Sequence, residues 1–360
     1  ERMAAVKSGD VASIQYTSGT TGFPKGAMLT HRNLLTNAYY TGQRQAFSDR
    51  DRLCIPVPLY HCFGCVMGTL ACVVHGAAMI FPAESLDAGA ALQAVQDERC
   101  TAIYGVPTMF IAELNHPRFA GFDLGSLRTG IMAGAPCPVE IMRQVVDKMG
   151  AKQITIAYGL TEASPVITQT DTAEDLEHRV GTVGRVLPGL EVKIVAPGSA
   201  DPLPPGESGE LMVRGHGNMK GDYNKPKETA AALTPDGYYR ITGRIKDLII
   251  RGGENIYPRE IEEFLHGHAA ILDVQVVGLP DERTGEEVAA WIRLQPGATL
   301  TEEGVRDYCR DRIAHFKVPR YVAFVDEYPT TVTGKVQKFR LREIGVARFG
   351  LQRAAAVETA

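Results

Sequence analysis

Apolar residues in the first half of the chain fall into short β-rich runs separated by longer segments with helical spacing. Ile14–Tyr16, Leu53–Pro56, Ala77–Phe81, Thr101–Tyr104, Arg128–Met132 and Gln153–Ala157 read as strands. Asn33–Thr41, Val66–Val74 and Pro138–Met149 read as helices. Strands alternating with helices build right-handed βαβ units, so the expected class is α/β with mostly parallel, layered sheets. From Gly181 the texture changes. Gly and Pro thicken, and Glu191–Val195 and Glu210–Arg214 look like strands of a small β subdomain. Beyond Arg244–Asp247, helices at Pro258–Leu265 and Thr301–Arg312 and strands at Val274–Gly278 and Val288–Leu294 predict a compact α+β C-terminal domain. The expected division is a large domain over 1–245, with 181–245 its β-rich part, a C-terminal domain over 246–345, and an Ala-rich tail over 346–360.

Composition narrows the classes. The 360 residues are 44% hydrophobic and 22% charged, proportions that suit a soluble globular chain and exclude a disordered or fibrous one. Lys and Arg total 38 against 42 acids, so the clustered cations of a dedicated nucleic-acid binder are not expected. The stretch Leu53 to Pro82, which contains no Asp, Glu, Lys or Arg, is broken by Pro56, Pro58, His75 and Gly76. It reads as a buried strand and helix, short of the roughly 20 apolar residues a membrane span needs. The sequence starts at Glu1 without a secretory leader pattern. Its seven cysteines (54, 62, 65, 72, 100, 137, 309) are odd in number and sit mostly in apolar runs. Reduced thiols in a cytoplasmic, reducing compartment are expected. Cys62-Phe-Gly-Cys65 has metal-ligand spacing, but no second tight Cys/His pair completes a tetrahedral set.

The strongest chemical signal is Tyr16-Thr-Ser-Gly-Thr-Thr-Gly-Phe-Pro-Lys-Gly26. A strand enters a loop that offers the hydroxyls of Thr17, Ser18, Thr20 and Thr21, the small Gly19 and Gly22, and the ammonium of Lys25. Glycines let backbone N–H groups approach phosphate oxygens, hydroxyls donate to them, and Lys supplies a mobile charge. Gly26 rather than Ser or Thr follows Lys25, so this is not a Walker A loop. A helix start at Thr30-His-Arg-Asn33 is expected directly after it.

This loop resembles the phosphate loop of the adenylate-forming superfamily of acyl-CoA synthetases, aryl-CoA ligases, luciferases and adenylation domains. The likeness continues in order to about Glu343. Pro58-Leu-Tyr-His-Cys-Phe-Gly64, Ala133-Gly-Ala-Pro-Cys137, Tyr158-Gly-Leu-Thr-Glu162, Gly209-Glu-Leu-Met-Val-Arg-Gly215, Gly243–Pro258 and Thr333-Gly-Lys-Val-Gln-Lys338 each look like a family motif. The resemblance implies ATP, Mg²⁺ and CoA as co-substrates and cofactor. It implies a catalytic Lys335, with Thr161 and His61 also in the catalytic set, and Glu162 as the Mg²⁺-linked acid. Gly134, Ala135, Pro136, Tyr158, Gly159 and Arg244 fall on the adenine and ribose side. Lys246 falls at the hinge and Gly252, Gly253 and Glu254 at the CoA tunnel. His61 suits either a pocket gate or a core histidine, and Tyr158 either a purine platform or a core aromatic.

The acyl side is uncharged. Cys62-Phe-Gly-Cys-Val-Met67 carries no acid to hold a substrate ammonium, and Cys62, Phe63, Gly105 and Val106 are candidate pocket walls. The text around Tyr104–Phe110, Arg251–Pro258 and His315–Pro319 is most similar to medium-chain acyl-CoA synthetases of the family-member-2 type. Activation of a medium- or long-chain fatty acid is the implied reaction, with an aryl-CoA ligase as alternative. Homo-oligomerisation is compatible with the sequence.

Two departures are visible. Relatives carry about one and a half typical domain lengths ahead of the phosphate loop, which here starts at residue 16. After Pro235-Asp-Gly237 the family's Thr-Gly-Asp segment is missing, because Tyr238–Arg244 follows at once. The aspartate expected to accept both ribose hydroxyls is therefore absent. An impaired enzyme, a silent remnant that binds acyl groups or a partner, and an incomplete fragment all remain compatible with these gaps.

Overall fold

The computed structural model describes residues 2–17, 25–135, 137–196, 198–240, 249–251, 254–331 and 334–355. The chain divides into two units, one over Glu1–Cys137 and Ile141–Gly243, the other over Pro138–Glu140 and Arg244–Ala360.

The first unit opens with a short helix α1 (Arg2–Ala5) and an antiparallel pair, β1 (Val11–Thr17) and β2 (Lys25–Thr30). The expected helix start at Thr30 is borne out, but the structure adds an element before it: the phosphate loop is followed first by β2, the second strand of a hairpin. Lys-Gly-Ala-Met-Leu-Thr lacks the β-branched run that marks a strand. Pairing on both sides, and full burial of Ala27 and Leu29, override that weak propensity. Helix α2 (His31–Arg44) starts at Thr30, whose hydroxyl accepts the Asn33 N–H at 3.2 Å while Asn33 accepts the Thr30 N–H at 2.8 Å.

Next come β3 (Arg52–Cys54), a π-helical stretch (Phe63–Leu70), α3 (Ala71–His75) and β4 (Ala78–Ile80). Gly64 has no substitute in this segment, because a Cβ there would lie 2.3 Å from the Pro58 carbonyl oxygen. The segments α4 (Ala88–Asp97), β5 (Ala102–Gly105), α5 (Pro107–Leu114), β6 (Thr129–Ala133), α6 (Val139–Met149) and β7 (Gln153–Gly159) continue the alternation. Strand β8 (Val166–Gln169), helix α7 (Leu176–Gly181) and strand β9 (Arg185–Val186) close it. Among the described residues the sheet order is β4-β3-β5-β6-β7-β8-β9, parallel through β7 and antiparallel at β8 and β9. Every residue of β5 and β6 is buried, as expected for parallel strands covered on both faces.

A small antiparallel sheet, ordered β10-β11-β13, comprises β10 (Leu190–Val195), β11 (Glu210–Gly215) and β13 (Tyr239–Arg240). Between the last two lie β12 (Gly221–Asp222), which pairs with β2, and α8 (Pro226–Ala232).

In the second unit β14 (Ile249–Arg251), β15 (Glu254–Ile256), β16 (Ile271–Asp281), β17 (Gly285–Leu294) and β18 (Tyr321–Phe324) form one sheet. Helices α9 (Pro258–His266), α10 (Glu302–Cys309), α11 (Lys338–Arg348) and α12 (Gln352–Ala355) accompany it. Strand β16 runs past the expected Gly278 through Pro280, a residue its place at the end of the sheet order tolerates. Helix α10 is shorter than expected and ends at Cys309. The fold is the α/β class that the sequence predicts.

Candidate active site

The carboxyl ends of adjacent parallel strands gather several of the expected residues. Strand β5 ends at Gly105-Val106, β6 at Ala133 before Gly134-Ala135, and β7 at Tyr158-Gly159. Registers Gly105↔Met132 and Ala133↔Ala157 set these three ends side by side. This is the edge at which open α/β sheets hold ligands. Gly134 has φ of 87°, and a Cβ on Gly159 would lie 1.9 Å from the Pro165 carbonyl oxygen, so both places demand glycine. Tyr158 is half-buried against the main core.

After β7 the chain makes one 3₁₀ turn, Thr161–Ala163, whose Glu162 carbonyl accepts the Met219 N–H at 2.8 Å. That bond ties the turn to the approach to β12. Asp222 on β12 pairs with Ala27 on β2, two residues from Lys25, and Lys25 pairs with Thr17 across the hairpin. Burial raises the Glu162 carboxyl above its usual range and the nearby Asp222 carboxylate adds to that, while Lys25 opposes both. The phenol of Tyr239 is raised chiefly by burial and further by Glu162 and Asp222. Two carboxylates, one ammonium and a phenol therefore share one polar pole. The two carboxylates supply hard oxygen donors, the donor type that suits Mg²⁺.

His61 stands at the entry to the π-helical stretch, where its Nδ1 accepts the Phe63 N–H at 3.1 Å. The Cys62 thiol lies 3.6 Å from the Thr161 hydroxyl, linking this segment to the Glu162 turn. Phe63 is buried and stacks on Tyr104 with ring centroids 5.5 Å apart. A Cβ on Gly105 would meet the Phe110 ring at 3.0 Å, and Val106 is buried in the same core. The seven cysteines are thiols, none joined in a disulfide.

In the second unit Lys335 closes a tight turn. Its N–H donates to the Thr331 hydroxyl at 3.2 Å, its carbonyl accepts the Thr331 N–H at 2.8 Å, and Gly334 has φ of 78°. Glu254 begins β15. Ser18, Gly19, Thr20, Thr21, Gly22, Pro136, Arg244, Lys246, Gly252 and Gly253 lie outside the described residues, as does the Thr242-Gly243-Arg244 junction.

Asp222 and Tyr239 were not anticipated, because each sits in a stretch without a motif of its own. Asn33 and Asn37 were missed as well, although two polar residues on the buried stripe of α2 are a legible signal. Asn37 exchanges both amide bonds with Val166 at 2.8 and 3.1 Å, and Asn33 donates to the carbonyls of His216 and Asn218 at 2.6 and 3.0 Å. These bonds fix α2 against β8 and the approach to β12.

Comparison with known proteins matches residues 1–223 to the family described as AMP-binding enzyme and 260–335 to AMP-binding enzyme C-terminal domain. The Bacillus subtilis (strain 168) protein YngI, named as an acyl-CoA synthetase, is 54% identical over 98% of this chain and 66% of its own length. The Danio rerio mitochondrial medium-chain acyl-CoA ligase ACSF2 is 48% identical over 95% of this chain and 59% of its own. The chain thus spans less than two thirds of these curated relatives. Among solved structures, ATP-bound MatB from Rhodopseudomonas palustris superposes with a TM-score of 0.82 at 32% identity, covering 94% of this chain and 69% of that one. The anthranilate CoA ligase AuaEII in complex with anthranoyl-AMP gives a TM-score of 0.85 at 27% identity, over 95% and 69%. Two family matches in order, on a fold whose strand ends gather the matching residues, make this chain a member of the AMP-binding enzyme family, most like its acyl-CoA synthetases.

Proposed function

We propose that the chain activates a fatty acid of medium or long chain length, joining it first to AMP and then to CoA. The observation that carries this reading is the pole formed by Lys25, Glu162 and Asp222 beside the carboxyl ends of β5, β6 and β7. The uncharged tail is favoured by Cys62, Phe63 and Val106, all buried and free of formal charge. The name of the Danio rerio relative supports medium-chain acids, whereas the AuaEII ligand keeps an aromatic acid as the alternative.

In the first half-reaction a carboxylate oxygen attacks the α-phosphorus of ATP, forming the acyl–phosphate bond as the bond to pyrophosphate breaks. Lys25 and the loop hydroxyls from Thr17 to Thr21 hold the β- and γ-phosphates. Glu162 would hold Mg²⁺, with Asp222 adding negative charge nearby, and a cation held there would offset phosphate charge. Gly134-Ala135 and Tyr158-Gly159 border the adenine, and Arg244 the ribose. Lys335 supplies a cation to the α-phosphate. In the second half-reaction the CoA sulfur attacks the acyl carbon and AMP leaves. Between the two half-reactions a swing about Lys246 replaces Lys335 by the Gly252-Gly253-Glu254 loop.

Pyrophosphate release from ATP with octanoate and CoA tests the reading, with Lys335→Ala as control and benzoate as the competing acid. Release that is lost in the variant and weaker with benzoate is expected. A folded chain that releases none is instead the silent remnant that the missing Thr-Gly-Asp segment suggests.

A further inference from the structure

Strand β16 ends its sheet, and among the described residues no strand pairs along its outer side. At Val276 two charged side chains take the place of that missing strand. Glu262 of α9 accepts the Val276 N–H at 2.8 Å, and Lys338 of α11 donates to the Val276 carbonyl at 3.2 Å. The same Glu262 oxygen meets the Lys338 ammonium at 2.7 Å, across 76 residues of sequence. Glu262 is buried, and the Lys338 side chain is only 18% exposed. A buried ion pair is often no more stabilising than apolar residues of the same volume, so net stability is a weak reason for this one.

Lys338 also stands against the local rules of helix formation. It is the first residue of α11, where the helix dipole favours acids, yet that turn holds no acid and no side-chain cap. Its tertiary partner, and not the helix, keeps the cation there. Local misfits of this kind gather where position matters to function.

The ion pair lies at the base of the Lys335 hairpin. The Gln337 N–H donates to the Pro329 carbonyl at 2.8 Å, Thr330 bridges to Val336, and Lys335 bonds to Thr331. The two legs therefore move together, each with one anchor to the sheet. Tyr328, whose hydroxyl donates to the Trp291 carbonyl at 3.0 Å, anchors the incoming leg, and Lys338 anchors the outgoing one. Val336 rests between them on an apolar cluster, and apolar contact fixes no direction.

Given the role proposed for Lys335, we infer that Glu262, acting through Lys338, is a positioning residue for it. The pair fixes the outgoing leg, so that the Lys335 ammonium is presented in one direction while acyl-AMP forms. An error of about 1 Å in such a group costs up to about a hundredfold in rate. Thioester formation, which does not use Lys335, is indifferent to the pair.

The double variant Glu262→Gln/Lys338→Met removes the ion pair without stranding a charge and keeps an acceptor for Val276. Its octanoate-dependent exchange of pyrophosphate into ATP should fall about tenfold or more in kcat, with the KM for ATP within about threefold. Thioester formation from octanoyl-AMP and CoA should stay within about twofold of the parent. Amide hydrogen exchange at Lys335 should quicken about tenfold, while amides of β17 stay within about threefold. Lys338→Arg keeps a cation at the edge and should retain most of the parent's rate. Lys317→Met breaks the other ion pair of α9, to Glu260 at 2.6 Å, and should change none of these quantities. Equal loss in both half-reactions, a loss confined to KM, the same loss in Lys317→Met, or unaltered exchange at Lys335 would each overturn the inference. A parent chain that exchanges no pyrophosphate sinks the proposed function instead, and amide exchange at Lys335 still decides whether the pair positions it.

Discussion

Glu113 on α5 gives the sharpest stability test. It is 1% exposed, and among the described residues neither carboxylate oxygen has a hydrogen-bond partner. Burial alone pushes its carboxyl from 4.5 up to about 8. The native state therefore keeps a proton that the unfolded chain releases near 4.5, so stability falls as pH rises from about 4.5 to about 8 and then levels off. At about 1.4 kcal/mol per pH unit, the 3.5-unit interval corresponds to about 5 kcal/mol above pH 8 and about 3 kcal/mol at neutral pH. Glu113→Gln preserves the shape of the neutral acid and removes the titration. Urea unfolding followed by far-UV circular dichroism should show the variant nearly equal to the parent at about pH 5 and progressively more stable above it, with an unchanged slope against urea. Trp291, the single tryptophan, lies in the other unit, so its fluorescence reports there rather than at Glu113. A stability difference that stays flat with pH would refute the reasoning, because it would mean that Glu113 titrates normally or finds a partner.

Other outcomes follow from the same structure. Glu162→Gln should reduce pyrophosphate release by tenfold or more and weaken Mn²⁺ binding measured by calorimetry; unaltered Mn²⁺ binding would remove Glu162 from the metal pole. In the second unit His266 and Asp273 are both buried, with Nε2 and Oδ1 3.6 Å apart. Burial lowers the imidazole to about 4 and raises the carboxyl to about 7, so between about pH 4 and 6.5 their pH dependences oppose each other. Asp273→Asn leaves the histidine contribution alone, and Trp291-monitored stability should then rise by about 3 kcal/mol across that window; a flat profile would contradict it. Lys338→Met strands the buried Glu262, which it meets at 2.7 Å, and should cost about 3–5 kcal/mol in the same fluorescence assay. Thr30→Ala removes one half of the α2 cap and should lower stability by about 1 kcal/mol, read as a shifted urea midpoint.

Much of this protein was legible before folding was considered. Short apolar runs gave β5, β6 and β7 nearly to their ends, because a parallel strand covered on both faces must be apolar throughout. Thr30 and Asn33 announced the start of α2 because a cap is a local hydrogen bond. Chemically specific text, from the phosphate loop to Thr333-Gly-Lys335, carried the family because such motifs stay contiguous. Tertiary structure decided what depends on residues far apart. Strand pairing turned Lys25–Thr30 into β2 despite its weak propensity, and placed Asp222 close enough to act on Glu162. Packing enclosed Glu113 without a partner, although its sequence neighbours mark it only as one acid on a short helix. The local chain fixes dihedral preference and hydrophobic period, whereas burial and the field at a carboxylate are sums over neighbours that only the assembled sheets bring together.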